Sequence, residues 1–417
     1  MAQLTVLGGS SIAVPELIGA LIPYVHGDRQ LKLVLHGRDA GKLGIVARVG
    51  QQMASAVPGL EVEATTDLER ALTGADYVLN QVRVGGLTAR AYDESFPHRW
   101  NIPGDETVGP GGAANALRTV PVVLELCQTM ARVAPASVLL SFSNPSSVVQ
   151  QAVRRRTALK VIGLCDVPYT LHQTLARALG VSPDRLDTQY IGMHHFGWIT
   201  SAHVDGVERL PEALKTGEAC AALGLDPAVG RITGALPHSY FRYFFHPDRM
   251  LAKQRQITVP RALELQQLEA ELLAIYAQHE GHHKPQAVAR RSAIWYPAVV
   301  APTVAALAFG DPARLAVNIT NEERIPELPA ETIIEITADL VGGQISAPPP
   351  RRLPPPAMLG MLQANAAYEQ TLVEAILNDS ADLLLLALLQ NPMIPSYDTA
   401  RAILDEIWPR RGWPRPA

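Results

Sequence analysis

Three cysteines in 417 residues, Cys127, Cys165 and Cys220, are too few and too scattered for a disulfide framework. That usage belongs to a reducing compartment with free thiols. A basic excess is missing too: 36 Lys and Arg stand against 40 Asp and Glu, for a net charge of -4. No Lys/Arg-rich stretch with interleaved aromatics occurs, so nucleic acid is not an expected partner. Nor is there a long apolar run. The most apolar late segment, 383–389, falls far short of the roughly 20 residues that span a bilayer and reads as a buried helix. The start, MAQLTVLGGSS, has no basic segment, signal core or cleavage site, so the expectation is a cytoplasmic protein with no membrane partner.

What is present is an ordinary globular composition, 47% hydrophobic and 18% charged, which argues against long disordered segments. The length suggests two domains. Apolar runs at 4–7, 31–35, 77–82, 137–142 and 161–164 alternate with helical patterns, the first of them from Pro15 through Leu21. Such alternation predicts an α/β fold with a doubly wound, Rossmann-like parallel sheet over residues 1–170, with ligands at the carboxyl ends of the strands. From about Leu171 the alternation weakens and longer helical patterns appear at 262–279 and 358–377. Residues 171–417 are therefore expected to form a mixed α+β C-terminal domain. Six prolines in 347–356 predict an extended loop. No internal repeat or heptad array is evident.

The first apolar run is followed by Gly8-Gly9-Ser10-Ser11 and then a helix, the placement that brings backbone N–H groups and a helix N-terminus to a pyrophosphate. Against G-x-G-x-x-G, however, the chain offers Gly8, Ser10 and Ala13, and a tight turn in some other α/β protein is an equal reading. The acid that usually meets the ribose at the end of the second strand is replaced by Gly37-Arg38. Arg38 fits a 2′-phosphate, so NADP is expected to be tolerated beside NAD; a solvated surface arginine is the competing reading.

Cys165-Asp166-Val167-Pro168 follows directly on the strand at 161–164, at the ligand-binding end of the sheet. Thiolate and imidazole are good ligands for first-row metals, and Met193-His194-His195-Phe196 supplies candidate imidazoles. Spacing alone favours a buried cysteine and a core histidine. The stretch 82–119, dense in glycine and charge, reads as a binding loop, with a surface excursion as its alternative.

Taken together these segments resemble glycoside hydrolase family 4, the NAD- and manganese-dependent glycosidases that include 6-phospho-α- and 6-phospho-β-glucosidases. The resemblance runs from Leu4 to about Ile407 in matching order. It is carried by GGSS with Pro15-Glu16, RVGG at 83–86, Asp93-Glu94, GDETVGPGG at 104–112, and Ala116-Leu117-Arg118-Thr119. Ser143-Asn144-Pro145, Cys165-Asp166-Val167-Pro168, His195-Phe196-Gly197-Trp198 and LPHSYFRYF at 236–244 complete it.

The resemblance implies a fold like that of lactate and malate dehydrogenases, a homodimer or homotetramer, and a glycoside substrate with or without a 6-phosphate. It implies NAD and Mn2+, or another first-row divalent ion, as cofactors. Cys165 and His195 fall on the family's metal ligands, Tyr240 on its general base, and Asp166 on the general acid of α-specific members. Arg83, in the RVGG motif, is expected to bind substrate, Asn144 falls on a substrate contact and Arg261 near an arginine implicated in phosphate recognition. The implied chemistry is redox-assisted elimination: hydride leaves C3 for the nicotinamide, Tyr240 removes the C2 proton, and the leaving group departs protonated by Asp166 or water. Water then adds and the hydride returns. Such a scheme does without the two carboxylates that most glycosidases place across the scissile bond.

The chain departs from the family pattern at several points. His194 stands where asparagine is common, and is expected at the sugar or around the metal ligands. Cys-Asp-Val-Pro mixes the α-type Cys-Asp-Met-Pro with the β-type Cys-Asn-Val-Pro, and Arg290-Arg291-Ser292 replaces Arg-Gly-Gly. Two competitors are a 2-hydroxy-acid dehydrogenase, which has no use for Cys165 at a metal, and a dinucleotide-binding sensor without turnover.

Overall fold

The computed structural model describes residues 1–412. Six strands, β1 (Ala2–Leu7), β2 (Leu31–His36), β3 (Leu60–Thr65), β4 (Tyr77–Asn80), β5 (Val138–Ser141) and β6 (Lys160–Leu164), pair in parallel in the order β3-β2-β1-β4-β5-β6. This is the doubly wound order, reversing between β1 and β4. The connecting helices are α1 (Val14–Leu21), α2 (Ala40–Ala54), α3 (Leu68–Leu72), α4 (Gly86–Ser95), α5 (Gly109–Val133) and α6 (Ser146–Arg156), with α7 (Val167–Ala178) following β6. The central strands are short apolar runs because helices cover both faces of a parallel sheet; VLLS and KVIGL are buried at all but their first residues. The edge strand β3, LEVEAT, alternates instead, with Leu60 and Val62 buried and Glu61 and Glu63 exposed.

The sheet does not stop at β6. Seven more strands follow in sequence: β7 (Leu186–Met193), β8 (Phe196–Val204), β9 (Val207–Glu208), β10 (Leu236–Pro237), β11 (Ala313–Thr320), β12 (Ile333–Val341) and β13 (Gln344–Ser346). β11 joins β6 antiparallel, and the path continues β12-β7-β8-β10, giving one 13-stranded sheet. The predicted late helices form as Arg261–Ala277 and Pro356–Leu377. The helix Ala381–Gln390 is only half-buried: Leu384 and Leu388 are fully enclosed, while Leu386 and Leu389 remain more than two-fifths exposed. No helix among the described residues is long and apolar enough to cross a membrane.

Two backbone approaches fix the loops above the strands. A Cβ on Gly9 would lie 2.8 Å from Leu35 Cβ and 2.9 Å from the His36 nitrogen, so only glycine lets the first turn lie on β2. The amides of Gly8 and Gly9 donate to the His36 carbonyl at 3.1 and 2.7 Å, holding that turn in place. At the other, a Cβ on Gly111 would lie 2.2 Å from the Asp105 carbonyl oxygen and 2.4 Å from that of Asp93, where α5 begins under the 104–108 loop. There the buried side chains of Arg118 and Asp93 form an ion pair between α5 and α4, and Arg118 Nη1 also donates to Ala114 O at 2.9 Å.

Candidate active site

The carboxyl ends of the parallel strands carry a row of chemically active residues in spatial order. Beyond β2 stands Arg38, beyond β1 the turn Gly8-Gly9-Ser10-Ser11, beyond β4 Arg83, beyond β5 Asn144 and beyond β6 Cys165-Asp166. Asn144 precedes Pro145 across a cis peptide bond. Its carbonyl accepts from Asn115 Nδ2 at 3.0 Å, and the same amide nitrogen donates to Glu106 O at 2.9 Å, tying the turn to α5 and to the 104–108 loop.

His194 and His195 come from the antiparallel half. They are the two central residues of the hairpin between β7 and β8, whose flanking Met193 and Phe196 are paired. His195 adopts φ 60, a left-handed conformation in which asparagine, aspartate and histidine are the commoner non-glycine residues. Three strand spacings separate β6 from β7, about 14 Å in a flat sheet. Yet donor atoms of Cys165, His194 and His195 all lie within 4.8 Å of one another, because the side chains reach toward each other over the strand ends from both halves of the sheet. Tyr240, in the turn before the short helix Phe241–Phe245, places its ring 3.9 Å from that of His195, centroid to centroid. The structure thus brings Asn144, Cys165, Asp166, His194, His195 and Tyr240 together.

Two residues of this neighbourhood do not stand out in the sequence. Glu335, on β12, is fully buried; its Oε1 lies 3.6 Å from His194 Nδ1 and accepts from Asn318 Nδ2 at 2.9 Å. Register explains the meeting, since Gly163 pairs with Asn318, Asn318 with Glu335, and Glu335 with Gly192, just before the hairpin. His238 is also fully buried, its ring 5.2 Å from that of His195, and its Nδ1 accepts from the Tyr240 backbone N–H at 3.1 Å. The LPHSYFRYF run contains the signal for His238, whereas nothing in IIEITADLV marks Glu335.

Burial dominates the electrostatics. It pushes the Cys165 thiol well above its ordinary range, with the charges of Glu335 and Asp166 adding to the effect. Burial also raises the Asp166 carboxyl, against which His194 pulls. The His195 imidazole is driven well below its usual value by burial, then by His194, His238 and Arg242. Burial raises the Tyr240 phenol as well, followed by the charges of Asp105, Tyr243 and Cys165, while Arg242 pulls it down. Thus the protein's own groups keep Cys165 and Tyr240 protonated and His195 neutral.

The donor set fits a divalent cation. Sulfur and imidazole nitrogen suit first-row transition ions. His194 Nδ1, His195 Nδ1 and Glu335 Oε2 are buried without hydrogen-bond partners, the state of atoms that await one. A cavity of about 730 Å³ opens beside Cys165, lined also by Tyr169, His172, Tyr190 and Arg314.

Other arginines near the strand ends form a group of their own. Arg83 pairs with Glu106 and keeps over a third of its side chain exposed; partial enclosure and the like charges of Arg90 and Arg291 lower its guanidinium, which is still charged at neutral pH. Arg291 is lowered by burial, then by Arg90 and, less strongly, by Arg261, and lies over the Trp295 ring at 4.8 Å. Arg261 itself is about half exposed and bonds Glu264 on its own helix. Ser292, where the family pattern has glycine, has φ 51, the conformation for which glycine is suited. Arg38 is exposed in the turn after β2.

Fold and site together define a dinucleotide-type α/β enzyme with a buried cluster of sulfur, nitrogen and phenol groups at its strand ends. The family profile "Family 4 glycosyl hydrolase" matches residues 3–181, and "Family 4 glycosyl hydrolase C-terminal domain" matches 190–394. The chain belongs to glycoside hydrolase family 4. It is 30% identical over 424 residues to a Bacillus subtilis (strain 168) protein named "Probable 6-phospho-beta-glucosidase", covering 97% of this chain and 95% of that one. A solved structure of the 6-phospho-beta glucosidase from Thermotoga maritima with manganese, NAD+ and glucose-6-phosphate superposes with a TM-score of 0.86 at 26% identity, covering 97% of each chain. Lactate dehydrogenase from Trichomonas vaginalis, at 15% identity and a TM-score of 0.57 over 91% of this chain and all of that one, shares the fold. The chain is accordingly a glycoside hydrolase rather than a 2-hydroxy-acid dehydrogenase.

Proposed function

We propose that the enzyme hydrolyses 6-phosphoglucosides, with NAD at the Gly8–Ser11 turn and Mn2+ or another first-row divalent ion at Cys165 and His195. The observation that carries this reading is the packing of Tyr240 onto His195 beside Cys165 and Asp166, a base, an acid and a cation cradle in one buried space. NAD would supply a reversible hydride acceptor and the metal a Lewis acid for the sugar oxygens. Within that frame Asn144 holds the sugar, and Tyr240 takes the proton from the carbon beside the oxidised one. Tyr240 is poorly ionised in its own surroundings, so Arg242 and the added cation together must favour the phenolate. Asp166, whose carboxyl is raised by burial, is suited to donate a proton to the leaving oxygen.

Arg83, Arg90, Arg291 and Arg261 act on one another as like charges, an arrangement that an anion relieves. This supports a 6-phosphate on the substrate, in keeping with the sugar phosphate in the Thermotoga structure. Arg38 supports NADP as a second acceptable cofactor, which a titration showing binding of NAD and none of NADP would refute.

The test is hydrolysis of chromogenic α- and β-glucosides, each with and without the 6-phosphate, in the presence of NAD, Mn2+ and thiol. Turnover confined to phosphorylated members is expected, and an inert panel contradicts the proposal. Exhaustive chelation should abolish that turnover and readdition of Mn2+ restore it; activity unchanged by chelation contradicts the role of Cys165 and His195.

A further inference from the structure

The buried cluster contains one more nitrogen donor than Cys165 and His195 supply. Cys165, His194 and His195 are each at least nine-tenths buried, and each offers an atom to a common space no more than 4.8 Å across. The hairpin gives the two imidazoles no independence. As neighbours in a two-residue turn, with His195 left-handed, they stack face to face at 4.0 Å.

Hydrogen bonding sets the tautomer of His194. Its Nε2 lies 3.0 Å from Asn144 Oδ1, which can only accept, so Nε2 carries the hydrogen and Nδ1 keeps the lone pair. That Nδ1 is buried, has no hydrogen-bond partner and faces Glu335 Oε1 at 3.6 Å. Two lone-pair-bearing atoms facing each other in a dry interior repel, and a cation against the nitrogen turns the arrangement favourable. The bond to Asn144 is then what a ligating histidine ordinarily has, a fixed partner on its other ring nitrogen.

We infer that His194 is a third protein ligand of the metal, giving a donor set of Cys165, His194 and His195, with Asn144 as the residue that orients His194. This inference rests on the metal site advanced under Proposed function and goes beyond it in ligand number and ion preference. One sulfur and two imidazoles favour Co2+, Ni2+ or Zn2+ over Mn2+, while three protein ligands still leave positions for substrate oxygens. His194 in this role is withdrawn from direct sugar contact, which falls to Asn144 and the arginines.

The full-length protein, stripped of metal without oxygen, is titrated with Co2+ and with Mn2+ alongside His194→Asn. His194→Asn is expected to lose at least about 10-fold in Co2+ affinity, with a smaller loss for Mn2+, and to change the ligand-field absorption of bound Co2+. X-ray absorption of Co2+-loaded wild type, which needs no variant, is expected to count two imidazoles per metal. One imidazole per metal, or equal Co2+ affinity and spectra in the two proteins, overturns the inference and leaves the Cys165 and His195 site standing. A wild type that binds neither ion overturns both.

Discussion

Asp166 offers the clearest residue-scale prediction, because its demand depends on the leaving group. A raised carboxyl at the mouth of the cluster matters when the departing oxygen is basic and little when it is already acidic. Asp166→Asn is therefore expected to slow alkyl 6-phosphoglucosides by about 10²–10⁴-fold while sparing nitrophenyl substrates. Equal losses on both would remove Asp166 from proton donation. The residues of this site differ in how readable they are. Cys165 and His195 gain meaning from the ordered motifs around them, since a cysteine and a histidine thirty positions apart are otherwise ordinary core residues. Glu335 carries no such mark: it interrupts an apolar strand, and only the register of β6, β11, β12 and β7 delivers it to His194.

At the scale of elements, the contact between α4 and α5 governs the two loops that flank α4, one carrying Arg83 and the other Glu106. Arg118 and Asp93 are buried together there, and Gly111 closes against the Asp93 and Asp105 carbonyls. Arg118→Met leaves a buried carboxyl without its partner and is expected to cost about 3–5 kcal/mol in denaturant unfolding. The double variant Asp93→Leu, Arg118→Met should recover most of that loss, whereas a single variant costing under about 1 kcal/mol would show the pair to be dispensable. The strands of the doubly wound half were legible because burial on both faces makes them continuous apolar runs. β3 escaped that pattern: as an edge strand its LEVEAT alternates, and period two rather than apolar length was its signal. The short apolar helix Ala381–Gln390 was legible as a helix but not as a half-exposed one, since leucines face both ways.

For the whole molecule, the continuity of the sheet was beyond sequence pattern. Where β11 pairs with β6 depends on contacts between distant segments, and so does the approach of the β7–β8 hairpin to Cys165. The same burial makes stability depend on pH. Glu369 is enclosed beside Gln151, Asn365 and Ser147; burial lifts its carboxyl from 4.5 to about 8, although those hydrogen bonds pull it down. The folded state thus holds a proton that the unfolded chain releases at lower pH. Stability from this group is fully present below about 4.5 and is lost as pH rises through 8, at up to about 1.4 kcal/mol per pH unit. Glu369→Gln should therefore raise the melting temperature relative to wild type more at pH 9 than at pH 6, and an equal difference at both would contradict this.

The reaction proposed for the site makes one demand that an ordinary carboxylate-pair glycosidase does not: in it Tyr240 exchanges the proton on C2 of the sugar with solvent. Hydrolysis of a 6-phosphoglucoside in D2O, with NAD, Mn2+ and thiol, followed by NMR of the released sugar phosphate, reads this directly. Deuterium at C2 in the first-formed product, lost together with turnover in Tyr240→Phe, is the predicted result. Product that retains its C2 hydrogen would contradict proton abstraction by Tyr240 and the redox-assisted elimination built on it.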